Sequence, residues 1–236
     1  MKINELQELS KLMYARPNTS DSKAIKEVMI QGSYFRRDFK IEAGENWIDI
    51  GGHVGSFTVS ASKLGANVKT FEPDEVHYQL LKMNLKNTQT VAETYCAGLG
   101  IKNGTKEFYT NENKGNTWRN SFFKKWKKGH TKTAKLLDYK PFITDDICIK
   151  MDCEGAEYEL LDNFTNIELN KIKKLVGEWS FDIHKETYKF FKIMDKLDSQ
   201  MKRLCPTDNY IESLKPHKEY PASWFPPAVK FCYVRK

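Results

Sequence analysis

The chain has 236 residues, with 38 lysines and arginines against 31 aspartates and glutamates, and 40% of its residues are hydrophobic. That length suits one large domain, or one domain with a small appendage. Fourteen Phe, eleven Tyr and five Trp supply enough apolar material for a core, which excludes a disordered chain of low hydrophobicity. No apolar run approaches the roughly 18–20 residues of a bilayer span, and the N-terminus lacks an apolar leader. We therefore expect a cytoplasmic protein without a transmembrane segment.

The cysteines do not suggest a disulfide framework or a zinc site. Their number is odd and the sequence contains no Cys-x-x-Cys pair, whereas both kinds of site need closer pairing. A free cysteine behaves as a small hydrophobic residue. We expect reduced thiols in or near the core, at Cys96, Cys148, Cys153, Cys205 and Cys232.

The net charge of +7 is concentrated in one segment. Residues 102–140 contain eleven basic and three acidic residues, so the rest of the chain carries a net charge of −1. Basic and aromatic residues are most densely mixed over residues 118–128. Such a segment can bind phosphates and stack on bases, can bind an acidic glycan or a sugar ring, or can be a solvated surface. The composition leaves all three interpretations open.

The first forty residues predict a small extension ahead of the main domain. Apolar residues recur at helical spacing over residues 3–14, and a break rich in Pro, Asn and Ser follows. Residues 25–30 and 34–41 are predicted to form a hairpin around a glycine-containing turn. We therefore predict an N-terminal helix and hairpin over residues 1–42 and a main domain over residues 43–236.

Strands and helices alternate from about residue 47 to the end of the chain. This order is typical of a doubly wound α/β fold with a mostly parallel sheet, to which the last strand can add an antiparallel edge. The basic segment 111–140 interrupts the alternation and is predicted to be an irregular insertion. The predicted strands are residues 47–50, 67–72, 91–97, 105–110, 147–151, 174–179 and 229–234, and the predicted helices are residues 54–64, 74–86, 156–164 and 183–200.

Acidic residues and glycines follow three of the predicted strands. Asp49-Ile50-Gly51-Gly52 ends the first strand, Glu72-Pro73 the second, and Asp152-Cys153-Glu154-Gly155 a later one. Ligands of doubly wound sheets bind beyond the carboxyl ends of the strands. We therefore expect the three segments to share one ligand site.

The first segment continues as Asp49-x-Gly51-Gly52-His53-Val54-Gly55 and leads into a helix. Glycine lets a ligand approach the backbone, and the start of a helix offers free N–H groups. The spacing is not that of a dinucleotide loop, and no Gly-Lys-Ser/Thr of a Walker loop follows. Glu72, 23 positions after Asp49, can accept hydrogen bonds from both hydroxyls of a ribose. Because Asp49 would repel a pyrophosphate, the pattern favours S-adenosylmethionine, which has positive groups and no phosphate.

Three blocks of the sequence resemble the FkbM-type methyltransferases. They are residues 47–57, 70–74 and 149–157, and the third, Lys-x-Asp-x-Glu-Gly-x-Glu, is the most specific. Gly52-His53 stands where that family usually has Ala-Asn. The resemblance implies a seven-stranded class I fold that binds S-adenosylmethionine. It also implies O-methylation, often of a sugar hydroxyl, here in a glycan or glycolipid precursor.

The resemblance also implies roles for residues of the first two blocks. Asp49, Gly51 and Gly55 would contact the methionine part of the cofactor, and Glu72 would hold its ribose. His53 lies inside the glycine loop, and Ala97 ends the third predicted strand. The candidate cofactor-binding residues are therefore Asp49, Gly51, Gly52, His53, Gly55, Glu72 and Ala97.

Methyl transfer to a hydroxyl requires alignment and removal of the acceptor proton. Asp152, at a strand end beside the cofactor loop, is a candidate general base or metal ligand. Glu178 and His184, at the end of the next strand, are the other catalytic candidates. Asp152, Glu178 and Asp182, with the nearby histidine, could instead bind Mg²⁺ or Mn²⁺. Glu157 is expected to stabilise the start of a helix.

A carbohydrate is the expected acceptor, with Trp118, Arg119 and Trp224 as candidate contacts because aromatic faces stack on sugar rings. The alternative is an RNA ribose 2′-O-methyltransferase that uses the basic segment 118–128. Lys150, Asp152, Lys174 and Glu178 supply the residue types for it, but Lys150 is expected to point away from the pocket of Asp152. A base-methylating enzyme is disfavoured, since the Asp152 segment lacks an Asn/Asp-Pro-Pro-aromatic motif. A non-catalytic binding module is also disfavoured, because it would not need the acidic residues around Asp152. The sequence does not indicate an oligomeric state.

Overall fold

The computed structural model describes residues 3–35, 39–112, 117, 119–181, 183, 187–204 and 228–236. The central sheet has seven strands in the order β3-β2-β1-β7-β8-β10-β9. Five neighbouring strands are parallel, and β10 runs antiparallel to both β8 and β9. The strands are β1 Asn46–Ile50, β2 Asn67–Phe71, β3 Glu93–Tyr95, β7 Ile147–Met151, β8 Ile172–Ser180, β9 Met201–Arg203 and β10 Ala228–Arg235.

This topology confirms the predicted fold class, with one correction at the edge of the sheet. The C-terminal strand β10 is antiparallel as expected, but it lies between β8 and β9 and is not the edge strand. The sequence analysis missed β9 because it has only three residues, too few for an alternating pattern to be visible.

Helices cover both faces of the sheet, as a doubly wound fold requires. They are α3 Ser56–Lys63, α4 Glu75–Asn87, α5 Ala156–Asn163, α6 Asn166–Lys171 and α7 Thr187–Gln200. Asp74 caps α4 by accepting a hydrogen bond from the His77 N–H, which confirms that predicted helix start. Successive residues of β1 face opposite cores: Trp47 packs against Phe57 of α3, and Ile48 belongs to the cluster that contains the buried side chains of α5 and α7.

The predicted N-terminal hairpin is wrong. The chain instead forms helices α1 Ile3–Ser10 and α2 Asp21–Ile25, and α2 continues into a π-helical turn at Lys26–Ile30. Ile25 and Met29, one helical turn apart, are buried with residues of α1 and α4. Their burial favours a helix. In a strand these two residues would share one face, and the apolar Val28 would lie on the opposite, exposed face. The segment thus packs over α4 and the loop after β1.

The basic insertion is more regular than expected. Residues within and before it form a second sheet of order β4-β6-β5, and a 3₁₀ turn follows at Lys140–Phe142. In β6, Ala134 is buried while Lys132 and Lys135 are exposed. Both lysines are therefore solvated, on opposite faces of the strand. The strands are β4 Gly98–Gly100, β5 Gly104–Tyr109 and β6 Thr131–Asp138.

The described helices include none with both the length and the apolar character of a membrane span. Four cysteines lie in the described ranges; Cys148 and Cys232 are buried, Cys153 is half-buried and Cys96 is exposed. Cys205 lies outside the described residues.

Candidate functional site

The carboxyl ends of β1, β2 and β7 meet at one edge of the central sheet, beside the last part of β8. Ile50 is level with Phe71 of β2 and with Met151 of β7, and Met151 is level with Gly177 of β8. The residue after each of these positions therefore stands at the same edge. Those residues are Gly51, Glu72, Asp152 and Glu178. The sequence prediction that three acidic segments converge is thus correct in geometry.

The loop after β1 is held tightly against the neighbouring strand ends. The N–H groups of Gly51 and Gly52 both donate to the Phe71 carbonyl, at 3.0 and 3.1 Å. A Cβ on Gly51, whose φ is +83°, would lie 1.9 Å from the Asp152 carbonyl oxygen. A Cβ on Gly52 would lie 2.3 Å from Cγ2 of Thr70. These glycines are therefore needed for close packing of the loop on the protein itself.

Asp49 lies beneath this loop and is fully buried. Its carboxylate accepts a 2.7 Å hydrogen bond from Oγ1 of Thr58 and lies 3.0 Å from Nζ of Lys150. Burial raises the pKa of Asp49, and the Lys150 ammonium opposes that shift. The Lys150 ammonium also donates to the Gly51 carbonyl at 2.8 Å. Asp49 thereby orients a lysine that stabilises the loop.

Two adjacent cavities open at this edge of the sheet. The larger has a volume of about 260 Å³ and the narrower about 50 Å³. Both are lined by Gly51, His53, Asp152 and Glu154. The cofactor loop and the Asp152 segment therefore form the boundary between the two spaces.

Glu72 lies on the narrower cavity among apolar side chains that include Phe71 and Leu99. Its two carboxylate oxygens accept hydrogen bonds from the N–H groups of His53, at 2.7 Å, and Asp74, at 2.8 Å. Burial raises the pKa of Glu72 to about 8, because the neighbourhood disfavours the charged form. Each oxygen retains a further lone pair for a ligand.

Asp152 lies where the two cavities meet. Its Oδ2 accepts a hydrogen bond of 2.5 Å from the hydroxyl of Tyr34. Glu178 lines the larger cavity with it, and burial together with repulsion by Asp152 raises the pKa of Glu178 to about 8. Glu154 lies on the same wall, where burial raises its pKa and the Arg119 guanidinium, 3.3 Å away, opposes the shift. The site therefore combines several carboxyl groups, of which Glu154 and Glu178 are shifted toward the neutral form.

Lys150 also lines the larger cavity, so the expectation that it points away from Asp152 is wrong. Residues two apart on a strand share a face, and Lys150 and Asp152 obey that rule. Lys150 pairs in register with Asp49 of β1, which directs its ammonium toward the loop. The acidic wall thus has a buried cation beside it.

The remaining predicted residues divide into three groups. Arg119 lies on the wall of the larger cavity, as expected for an acceptor contact. Gly55 is the N-cap of α3 and packs against Leu81, and Ala97 is buried; neither lines these two cavities. The residues Trp118, Asp182, His184 and Trp224 lie outside the described part of the chain. Their predicted roles in catalysis, metal binding and acceptor binding stay predictions.

Glu157 has the structural position expected for it. It is fully buried at the start of α5, where its side chain accepts hydrogen bonds from the N–H groups of Gly155 and Ser180, both at 2.9 Å. It therefore joins the start of α5 to the end of β8.

The sequence analysis missed several residues that line the larger cavity, among them Tyr34 and Ser56. Tyr34 belongs to the N-terminal segment, outside every motif, and no local signal marks it. Ser56 is the first residue of α3 and directly follows the glycine loop. That position beside the loop could have marked it as a site residue. Its Oγ is buried and has no hydrogen-bond partner among the described residues. Ser56 therefore offers an unused polar atom to a ligand.

Solved structures resemble this fold at low sequence identity. A Clostridium thermocellum protein described as a candidate rRNA methylase has a TM-score of 0.50 at 7% identity, over 94% of this chain and 98% of that one. An rRNA methylase from Streptococcus thermophilus has a TM-score of 0.47 at 10% identity, over 94% of this chain and 98% of that one. At such identities the likeness concerns the fold alone, which is that of the class I methyltransferases.

A third structure is a Pyrococcus abyssi tRNA (uracil-54, C5)-methyltransferase in complex with S-adenosyl-L-homocysteine. It has a TM-score of 0.44 at 15% identity over 92% of this chain, which spans only 39% of that protein's length. No curated protein matches the sequence. A family model described as the methyltransferase FkbM domain matches residues 49–204, well over half of the chain. The chain therefore belongs to the FkbM methyltransferase family.

Proposed function

We propose that this protein transfers the methyl group of S-adenosylmethionine to a hydroxyl of a sugar, in a glycan or glycolipid precursor. The observation that carries the proposal is the position of Asp152. Its carboxylate lies at the junction of two cavities, next to the cofactor loop, and already accepts a hydrogen bond from a hydroxyl group, that of Tyr34. An acceptor hydroxyl placed on the same carboxylate would lie beside the cofactor.

The residues present fit the proposed cofactor. Glu72 would accept hydrogen bonds from the ribose, and the apolar side chains of Phe71 and Leu99 would flank the base. The unpartnered Oγ of Ser56 and the start of α3 would bind the amino-acid end. When bound, S-adenosylmethionine supplies a methyl group activated by its sulfonium. Asp49, which is buried beneath the loop, would support it through Lys150.

Asp152 would accept the proton of the acceptor hydroxyl as the methyl group is transferred. The Lys150 ammonium, on the same wall, would stabilise the negative charge of the carboxylate before the proton arrives. Tyr34 would hold Asp152 in one orientation through its hydrogen bond. The raised pKa of Glu178, to about 8, would keep this side chain largely protonated at neutral pH and able to donate to a sugar oxygen.

The polar wall of the larger cavity supports a carbohydrate acceptor. Arg119 provides hydrogen-bond donors, and the carboxyl group of Glu178 can accept or, when protonated, donate. Sugar hydroxyls require both kinds of partner. The cavity also contains the ring of Phe57, an apolar surface for the face of a sugar. Trp118 and Trp224 stay candidate contacts from the sequence.

An RNA ribose is the alternative acceptor, and one observation favours it. Lys150, Asp152 and Glu178 share one wall, which removes the sequence argument against this alternative. The fourth residue of this alternative, Lys174, is engaged elsewhere, because it donates to the Lys40 carbonyl and pairs with Glu45. In both alternatives the methyl group is transferred to a sugar hydroxyl. Transfer to RNA that weakens steeply with added salt would support the alternative.

General-base and metal-assisted mechanisms differ in their response to chelation. Two of the three predicted Mg²⁺ or Mn²⁺ ligands, Asp152 and Glu178, line the same cavity. Chelator treatment therefore tests whether a metal ion assists the reaction. Loss of turnover with a chelator and its return with Mg²⁺ or Mn²⁺ alone would establish metal assistance. Undiminished turnover would leave Asp152 as the base.

Calorimetric titration with S-adenosylhomocysteine tests the cofactor site. We expect micromolar binding by the wild type and a loss of binding in Glu72→Ala, since the ribose would lose its carboxylate. Glu93→Ala, at an exposed carboxylate in the neighbouring strand, is the matched control and should bind normally. Failure of the folded wild type to bind would remove the methyltransferase proposal. Glycan and RNA acceptors can then be compared in the same assay.

A further inference from the structure

A second group of ligand-type side chains adjoins the cofactor site and shares His53 with its cavity walls. It consists of Asp21 from α2, His53 from the glycine loop and His77 from α4. One potential ligand atom from each lies within 4.8 Å of the other two. Asp21 is completely buried and His77 is 3% exposed. Two imidazoles and one carboxylate from three separate elements thus converge in the interior.

The separation of His53 and Asp21 matches that of two ligands of one metal ion. The Nε2 of His53 is 3.6 Å from Oδ1 of Asp21, which is too long for a hydrogen bond. That Nε2 is buried and has no hydrogen-bond partner in the described part of the chain. Two atoms bound tetrahedrally to zinc at about 2.1 Å lie about 3.4 Å apart. The gap therefore has the size that an ion fills.

The two histidines are in direct contact. Their ring centroids are 4.3 Å apart and the rings are at an angle of 71°. Each can offer one ring nitrogen within 4.8 Å of the ligand atoms of the other two residues. The neutral imidazole is the form in which histidine binds metals.

Arg16 holds the carboxylate of the group from its other side. Its Nε donates to Oδ2 of Asp21 at 2.7 Å and its terminal nitrogen donates to Oδ1 at 2.8 Å. Each carboxylate oxygen has two lone pairs, so Oδ1 can accept from Arg16 and also bind an ion. Metal-ligating carboxylates are commonly held by such outer hydrogen bonds. Arg16 thus orients Asp21 toward the histidines.

An ion has a route to this group from outside. His77 lines the narrower cavity and also a third, more open cavity of about 260 Å³. That third cavity is also lined by Asp74, whose carboxylate lies 3.5 Å from Nζ of Lys132. Oε1 of Glu72 lies 3.9 Å from Nδ1 of His77.

We propose that Asp21, His53 and His77 bind one zinc ion, which fastens the N-terminal segment to the cofactor loop and to α4. A set of two imidazoles and one carboxylate suits Zn²⁺, whose fourth position can be taken by water. None of these three residues is among the Mg²⁺ or Mn²⁺ ligands predicted at Asp152. The zinc ion would hold the N-terminal segment in place beside the cofactor site. This structural role requires neither methyl transfer nor an acceptor.

Zinc binding by the tag-free, chelator-treated full chain tests the proposal. We expect calorimetry to give one Zn²⁺ per chain, with a rise in the melting temperature when zinc is added. His53→Gln and His77→Gln should weaken zinc binding by at least about tenfold, because each removes one of three protein ligands. His130→Gln, at an exposed histidine beside Glu112, is the matched control and should bind as the wild type does.

Co²⁺ substitution in the wild type gives a readout that needs no variant. Bound Co²⁺ should show the visible bands of a nitrogen–oxygen site without a thiolate charge-transfer band. A thiolate band would assign the metal to a cysteine and overturn the proposal. So would the absence of stoichiometric zinc binding, or unchanged binding in a folded His77→Gln chain.

Discussion

The hydroxyl of Tyr34 donates a 2.5 Å hydrogen bond to Oδ2 of Asp152, although the two residues are 118 positions apart. Tyr34 belongs to the segment that precedes the family domain, and Asp152 ends a central strand. The contact closes one side of the larger cavity, so the N-terminal segment forms part of the site. Burial and the charge of Asp152 both raise the pKa of Tyr34, which keeps its hydroxyl a donor.

Replacing the proposed base should separate chemistry from cofactor binding. Asp152→Asn keeps the shape of the side chain but cannot accept a proton, so we expect turnover to fall by about 10²–10⁴-fold. Affinity for S-adenosylhomocysteine should stay near normal. Asp145→Asn, at a carboxylate whose side chain is 87% exposed, is the control for losing one charge. Full activity in Asp152→Asn would reject the assigned role.

Tyr34→Phe removes one hydrogen bond while retaining the buried ring. A hydrogen bond to a charged group is worth about 1.5–3 kcal/mol, so we expect kcat to fall by about tenfold or more. The KM values for cofactor and acceptor should change little, because the cavity keeps its shape. A rise in KM with unchanged kcat would instead indicate that Tyr34 serves only to shape the wall.

Arg119→Gln should weaken acceptor binding. Arg119 lies on the cavity wall 3.3 Å from Glu154, so its loss removes a donor and leaves a buried carboxyl group without that partner. We expect the acceptor KM to rise about tenfold with little change in cofactor affinity. Lys135→Gln, on the exposed face of β6, removes the same charge far from the cavity and should have no effect. Equal effects of both substitutions would point to a general role of positive charge.

Glu45→Gln should change the response of stability to acid. Burial opposes ionisation of Glu45, but hydrogen bonds from the Glu42 N–H and from Lys174 and Lys173 hold its pKa at about 2. Because the folded pKa is below the unfolded value near 4.5, ionised Glu45 stabilises the fold above about pH 4.5. That contribution is lost as the pH falls toward 2.

The variant should therefore be less stable than the wild type at neutral pH, by at most about 3 kcal/mol. The difference should shrink as the pH is lowered from 4.5 to 2. Urea unfolding at several pH values measures it. A constant difference across that range would show that the substitution acts through packing.

Local signals predicted much of the fold. The alternation of strands and helices located β1, β2, β7 and β8, and the Asp74 cap marked the start of α4. These signals depend on residues within one or two turns of each other, so they are visible in the sequence. The same signals failed at residues 25–30, where a short apolar run suits a strand or a helix equally and packing against α1 and α4 decides.

By itself the sequence determined the family, the parallel sheet and the three acidic segments that converge at its edge. Only the tertiary structure decided which side chains complete the site: Tyr34 reaches Asp152, Lys150 faces the cavity, and Asp21 meets His53 and His77. The physical reason is the range of the interactions. Helix and strand periodicity acts between near neighbours, whereas these contacts join residues dozens of positions apart that only the packing of the N-terminal segment against the sheet brings together.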